Sequence, residues 1–131
     1  MSVSIVGPLN TGAATGGAGV ATSTATSTVP VNGRISAVYI EYLDSAPATS
    51  DVTIATAGNS APSYTILSVS NSATNAVYYP RAATRSQVAA ALTYDGTNPV
   101  SDLPIIADNW KVTIAQANDG DSANVYLFVL D

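Results

Sequence analysis

The chain of 131 residues contains no cysteine and no histidine, and only 10% of its residues are charged, against about 25% in ordinary soluble domains. Without histidine there is no imidazole base. Without cysteine there is no thiolate nucleophile, no disulfide and no Cys/His zinc site. Lysine is nearly absent: Lys111 joins Arg34, Arg81 and Arg85 as the only cations, against nine acids, for a formal net charge of −5. Four cations cannot build the basic stripe that phosphate contacts need, so nucleic acid is not an expected partner. Long hydrophobic runs are also missing. The longest, Val88 to Leu92 and Val125 to Leu130, fall far short of the ~20 residues of a membrane-spanning helix, so no membrane partner is expected. The start of the chain has no basic segment followed by an apolar one, which predicts no signal peptide.

What is present favours an ordered domain. Hydrophobic residues make up 47% of the chain, seven tyrosines are available and net charge is low, so burial can offset the entropy of ordering. The dominant pattern has a period of two, the signature of strands. Val20 to Thr28 alternates Thr-rich and Ala/Ser-rich faces. Arg34 to Leu43 places Ser36, Val38, Ile40 and Tyr42 on one face, expected to be the core face, and Ile35, Ala37, Tyr39, Glu41 and Leu43 on the other. Asn32-Gly33 reads as a turn. Asp51–Ala57 and Tyr64–Val69 read as a hairpin, with shorter strands at 76–79, 90–94 and 103–107. Trp110–Gln116 and Asn124–Leu130, joined by a loop containing Asp119-Gly120, read as a second hairpin. Seven to nine short strands punctuated by Gly, Pro and Asn predict an all-β protein. It is expected as a single β-sandwich or jelly-roll-like domain over residues 34–131. Residues 1–33, rich in Ala, Gly and Thr, are expected to form an extended N-terminal arm, partly strand and separable from the core.

Candidate chemistry is sparse. Asp119, Asp121 and Asn124 could offer oxygen ligands to a hard cation, but the spacing is not that of a calcium loop, and turn chemistry alone explains these residues. No metal and no cofactor is expected. Eight of the nine acids are aspartates in or beside turns, which suits turn formation better than a glycosidase pair. A serine nucleophile would have only Lys111 as a base, so no catalytic residues are assigned and no enzymatic activity is expected. The most interface-like cluster is Tyr78, Tyr79, Arg81 and Arg85, because Tyr and Arg are enriched at interface hot spots.

Several segments, in order, resemble small virion proteins of tailed bacteriophages: Asp51-Val-Thr-Ile-Ala-Thr-Ala-Gly, Tyr64-Thr-Ile-Leu-Ser-Val, Tyr79-Pro-Arg, Leu92-Thr-Tyr-Asp-Gly-Thr-Asn98, Trp110-Lys-Val-Thr-Ile-Ala-Gln and Val125-Tyr-Leu-Phe-Val. The resemblance covers residues 34–131. It implies a non-enzymatic head decoration (cement) protein, or a head-tail connector component, without catalytic residues. The implied partners are the major capsid protein lattice and further copies of the chain in a closed homo-oligomer, expected as a trimer. The implied location is the capsid exterior of the virion, after synthesis in the host cytoplasm. Another reading is a receptor- or carbohydrate-binding module of a tail fibre or surface appendage, with Tyr39, Tyr78, Tyr79, Tyr94 and Trp110 as stacking platforms.

Overall fold

Alternating β-branched and small residues, broken by Gly, Pro and Asn, fold into strands. The computed structural model describes residues 2–59, 62–83, 90, 92, 93, 95–97 and 101–130, and no helix occurs among them. The strands are β1 (Val3–Asn10), β2 (Ala21–Thr26), β3 (Val31–Leu43), β4 (Asp51–Thr56), β5 (Thr65–Val69), β6 (Ala76–Tyr78), β7 (Ala82–Ala83), β8 (Ser101–Asp102), β9 (Ile105–Asp108), β10 (Trp110–Ala117) and β11 (Ser122–Leu130). They form an all-β, sandwich-like fold. One antiparallel sheet runs β1-β11-β3-β6, with β9 beside the first residues of β3. The other runs β2-β10-β4-β5, and β7 pairs with β8 separately.

Inward side chains of the two sheets share one core. Across β11 and β3 the buried register pairs are Val129 with Ile35, Leu127 with Val38 and Val125 with Ile40. Across β10 and β4 they are Val112 with Ile54 and Ile114 with Val52. Each such side chain contributes about 1.5–3 kcal/mol when fully buried.

The core face of β3 matches the expected alternation from Val38 onward, but Ile35 is also fully buried. The pairing slips by one residue at this point: Phe128 faces Ala37 and Val129 faces Ile35. Ser36 is the extra residue of a bulge. A bulge reverses which face the following residues present, so Ile35 and Val38 both point inward.

Three expectations change. Asn32-Gly33 is not a turn: both residues lie inside β3, paired with Ala107 and Ile106 of β9. A β-carbon on Gly33, at φ 143°, would sit 2.5 Å from the Leu130 carbonyl oxygen, so glycine is needed for close strand approach. The second hairpin is also absent. β10 pairs with β2 and β4, while β11 pairs with β1 and β3, so the chain crosses between sheets. The tight turn, closed by the Asp121 amide on the Asn118 carbonyl at 3.1 Å, makes an arch. Each of the two strands becomes the centre of its own sheet, because both carry an uninterrupted inward apolar series. The third change concerns the arm. Residues 3–10 form the edge strand beside β11, and residues 21–26 form the edge strand beside β10. The boundary expected at residue 33 falls within β3. The glycine-rich stretch between β1 and β2 lies against the folded sheets. Ala14 is buried and is bonded through its backbone to Asp121 and Gly120.

Candidate functional site

The cluster at 78–85 divides. Tyr78 pairs with Val38 and packs against the core. Tyr79, next in sequence, is 66% exposed. Arg81 returns toward β3, its Nη1 donating to the carbonyl of Pro80 at 2.7 Å and to that of the bulged Ser36 at 3.3 Å. Arg85 and Tyr94 lie outside the described residues, as does residue 91 of the strand expected at 90–94.

Next to this cluster lies a surface that the sequence only partly revealed, the outer face of the first sheet. Strand register arranges it in four rows. The first holds Arg34, Leu130 and Val3. The second holds Ala37, Phe128 and Ile5. The third holds Val77, Tyr39 and Tyr126, and the fourth Glu41, Asn124 and Asn10. The two middle rows are apolar or aromatic. Tyr39 and Tyr126 lean on each other with ring centroids 5.9 Å apart and a 38° tilt. Ile5 is 64% exposed and Val3 60%. The fourth row is a polar ladder: the Asn10 amide donates to Asn124 at 2.9 Å, and the Asn124 amide donates to Glu41 at 3.1 Å. Arg34 is exposed at the opposite end. The available sequence signal was the second face of β11, where Asn124, Tyr126, Phe128 and Leu130 stay largely apolar although Val125, Leu127 and Val129 already fill the core.

The outer face of the second sheet has a different character. Thr24, Thr113, Thr53 and Ser68 form one row across its four strands. The Thr24 and Thr113 hydroxyls are bonded at 2.9 Å, and Thr22 donates to the Ile114 carbonyl at 2.8 Å. This surface is polar, and its few charges include Lys111 and Asp51.

Two of the three oxygen ligands suggested for a cation, Asp121 and Asn124, are engaged in hydrogen bonds within the fold. Asp121 is buried and its carboxylate accepts the Asn118 amide at 2.9 Å. Asn124 faces the ladder just described. Asp119 is exposed in the turn. Among the described residues no three acidic side chains gather as a metal group would require. Trp110, considered as a stacking platform, is 2% exposed and belongs to the core, so it cannot receive a sugar ring.

Two further groups were missed by sequence reasoning. Asp108 is buried, and its carboxylate accepts the backbone amides of Gly58, Asn59 and Asn109 at 3.0, 2.9 and 2.7 Å. It fastens the β4–β5 turn to the β9–β10 corner. A groove of about 470 Å³ is lined by Tyr64, Ile66, Arg81, Leu103 and Ile105, and burial raises the Tyr64 pKa above its ordinary value. No described helix is long and apolar enough to cross a membrane. The chain matches no family model, no curated protein and no solved structure.

Proposed function

We propose that this chain is a non-enzymatic virion structural protein of a tailed phage, which decorates and stabilises the capsid by binding the shell and associating with itself. The observation that carries the reading is the outer face of the first sheet. Its two middle rows, from Ile5 and Phe128 to Tyr39 and Val77, place large apolar side chains where a solitary sandwich would place charge. Apolar surface concentrated in this way suits a subunit covered by neighbours. The low charge of the whole chain and the resemblance to small phage virion proteins point the same way. The partners would be the major capsid protein lattice and further copies of this chain, on the virion exterior.

The test is co-sedimentation of the purified chain with expanded capsids. Retention with the shell is the expected result. A chain that stays in the supernatant at every concentration removes the decoration reading and leaves the head-tail connector as the next assembly to try. The glycan-binding alternative is weakened by the burial of Trp110, which leaves it only exposed tyrosines such as Tyr79.

A further inference from the structure

We infer that the outer face of the first sheet is self-complementary and receives a second copy of the same face across a two-fold axis. The inference rests on the self-associating part of the reading above and does not need the shell.

The argument starts from the order of the rows. Arg34 stands at one end of β3 and Glu41 at the other, with Ala37 and Tyr39 between them, all facing outward in register with β11. Two identical sheets stacked face to face have two simple two-fold arrangements. An axis along β3 would set Arg34 on Arg34 and Glu41 on Glu41, and one along β11 would set Arg34 over the second copy's Val3 and Glu41 over its Asn10, so neither pairs opposite charges. An axis lying across the strands, between the Phe128 and Tyr126 rows, reverses the row order while keeping each strand over its own copy. Arg34 then meets the second copy's Glu41, and Glu41 meets its Arg34.

The same operation matches size. Tyr39 falls over the second copy's Ala37, a small and largely covered side chain. Ile5 falls over the second copy's Gly7, the residue of β1 nearest Tyr126, where a β-carbon would approach the Val125 carbonyl oxygen to 2.7 Å. Phe128 falls over Tyr126. Large groups therefore oppose small ones at the strands flanking the aromatic centre, and the charged rows close both ends. Matching of charge and shape by one operation is the argument for a second copy rather than an unrelated partner.

Strands about 4.8 Å apart and rows about 6.8 Å apart give a patch of roughly 20 Å by 20 Å, about half the usual ~800 Å² per partner. The pairing is therefore weak in dilute solution and populated at high concentration, as on a crowded surface.

The experiment is sedimentation equilibrium of the full chain up to about 1 mM, a range that reads weak association directly. Wild type is expected to give a monomer–dimer equilibrium. Arg34→Glu and Glu41→Arg, each alone, place like charges at both ends of the face and are expected to weaken dimerisation at least about tenfold. Mixing the two variants pairs unlike charges at both ends, so heterodimer is expected at near wild-type affinity. The mixture also guards against misfolding, since a damaged chain is not rescued by a second damaged chain. Unchanged near-ultraviolet circular dichroism confirms that each variant is folded. A monomer throughout the range, a trimer, or variants that associate like wild type would each overturn the two-fold face. Shell binding is read separately: capsid retention without dimers refutes this interface and spares the decoration reading, while dimers without retention do the reverse.

Discussion

Thr11 and Ala123 are joined by two hydrogen bonds that extend the β1–β11 ladder beyond the end of β1. The Thr11 amide donates to the Ala123 carbonyl at 3.0 Å, and the Ala123 amide donates to Thr11 Oγ1 at 3.1 Å. A side-chain hydroxyl thus takes the place of a backbone carbonyl. Thr11 is fully buried and donates its own proton to the Gly12 carbonyl at 3.0 Å. Thr11→Val keeps the shape and removes the oxygen, leaving the Ala123 N–H unsatisfied in the core. It is expected to cost about 1–3 kcal/mol. Thr11→Ser, which keeps the oxygen, is expected to cost less. Urea denaturation of the two variants checks the difference.

Asp108 is a second case. Three backbone amides share its carboxylate, and Asp108→Ala deprives all three of an acceptor, although Gly58 and Asn59 are exposed and water can reach them. With part of that penalty offset by hydration of the exposed amides, the loss is expected to be about 1–3 kcal/mol. Thermal unfolding measures it. A shift within the range of ordinary surface substitutions, about 0.5 kcal/mol, would show that water replaces the carboxylate.

These two residues also mark where sequence reading stops. Alternation is local, so β3, β4 and β5 and the inward placement of Val38 and Ile40 could be read directly. The Ser36 bulge was hidden, because it is a slip against β11, some 90 positions away in sequence. The Asn118–Asp121 turn was legible as a turn, but whether it closes a hairpin or an arch depends on which partners lie beyond each strand. The same limit applies to the candidate face. Ala37, Tyr39 and Glu41 could be placed away from the core. Their alignment with Phe128, Tyr126 and Asn124 is set by long-range pairing that no short window of sequence contains.

Deleting residues 2–19 tests the role of the first strand. A detachable arm would leave a folded core. Here the deletion removes β1, the buried Thr11 and Ala14, and the core contacts of Val6 and Leu9, and it strips one edge of β11 of its partner. Apolar side chains are worth about 1.5–3 kcal/mol each when fully buried, and a domain has about 5–15 kcal/mol in total. The truncated chain is expected to lose cooperative unfolding by circular dichroism and to aggregate through the bared β11 edge. A cooperative transition near the wild-type temperature would contradict this.

Trp110 is the only tryptophan of the chain, so its fluorescence reports the core without interference. Trp110→Ala is expected to destabilise by about 3–5 kcal/mol, the usual range for emptying a large aromatic site. Wild-type emission should be blue-shifted and should move to the red in one step on unfolding. Glycans added to the folded protein should leave it unchanged. A glycan-dependent change would revive the carbohydrate-binding alternative.

Alkaline pH should weaken the fold through Tyr42. Its pKa is pushed up to about 12, mainly by burial and next by the neighbouring Tyr78, while Ser72 pulls the other way and Asp51 adds to the rise. The hydroxyl is enclosed and makes no hydrogen bond of good geometry among the described residues, despite the nearby Ser72. The unfolded chain ionises this phenol at its ordinary pKa near 10, whereas the folded chain holds the proton to higher pH. The folded state therefore binds more protons between those values, and stability falls as pH rises across that window. The contribution is fully present below about pH 10 and is lost as pH passes through the raised value. Tyr42→Phe removes the titrating group together with an unbonded buried hydroxyl. It is expected to flatten the alkaline loss while changing stability little at neutral pH, because no hydrogen bond of good geometry is lost. Denaturation midpoints of both proteins from pH 8 to 12 measure this. Parallel losses in the two would assign the alkaline sensitivity to other tyrosines, Tyr64 first among them, since burial raises its pKa as well.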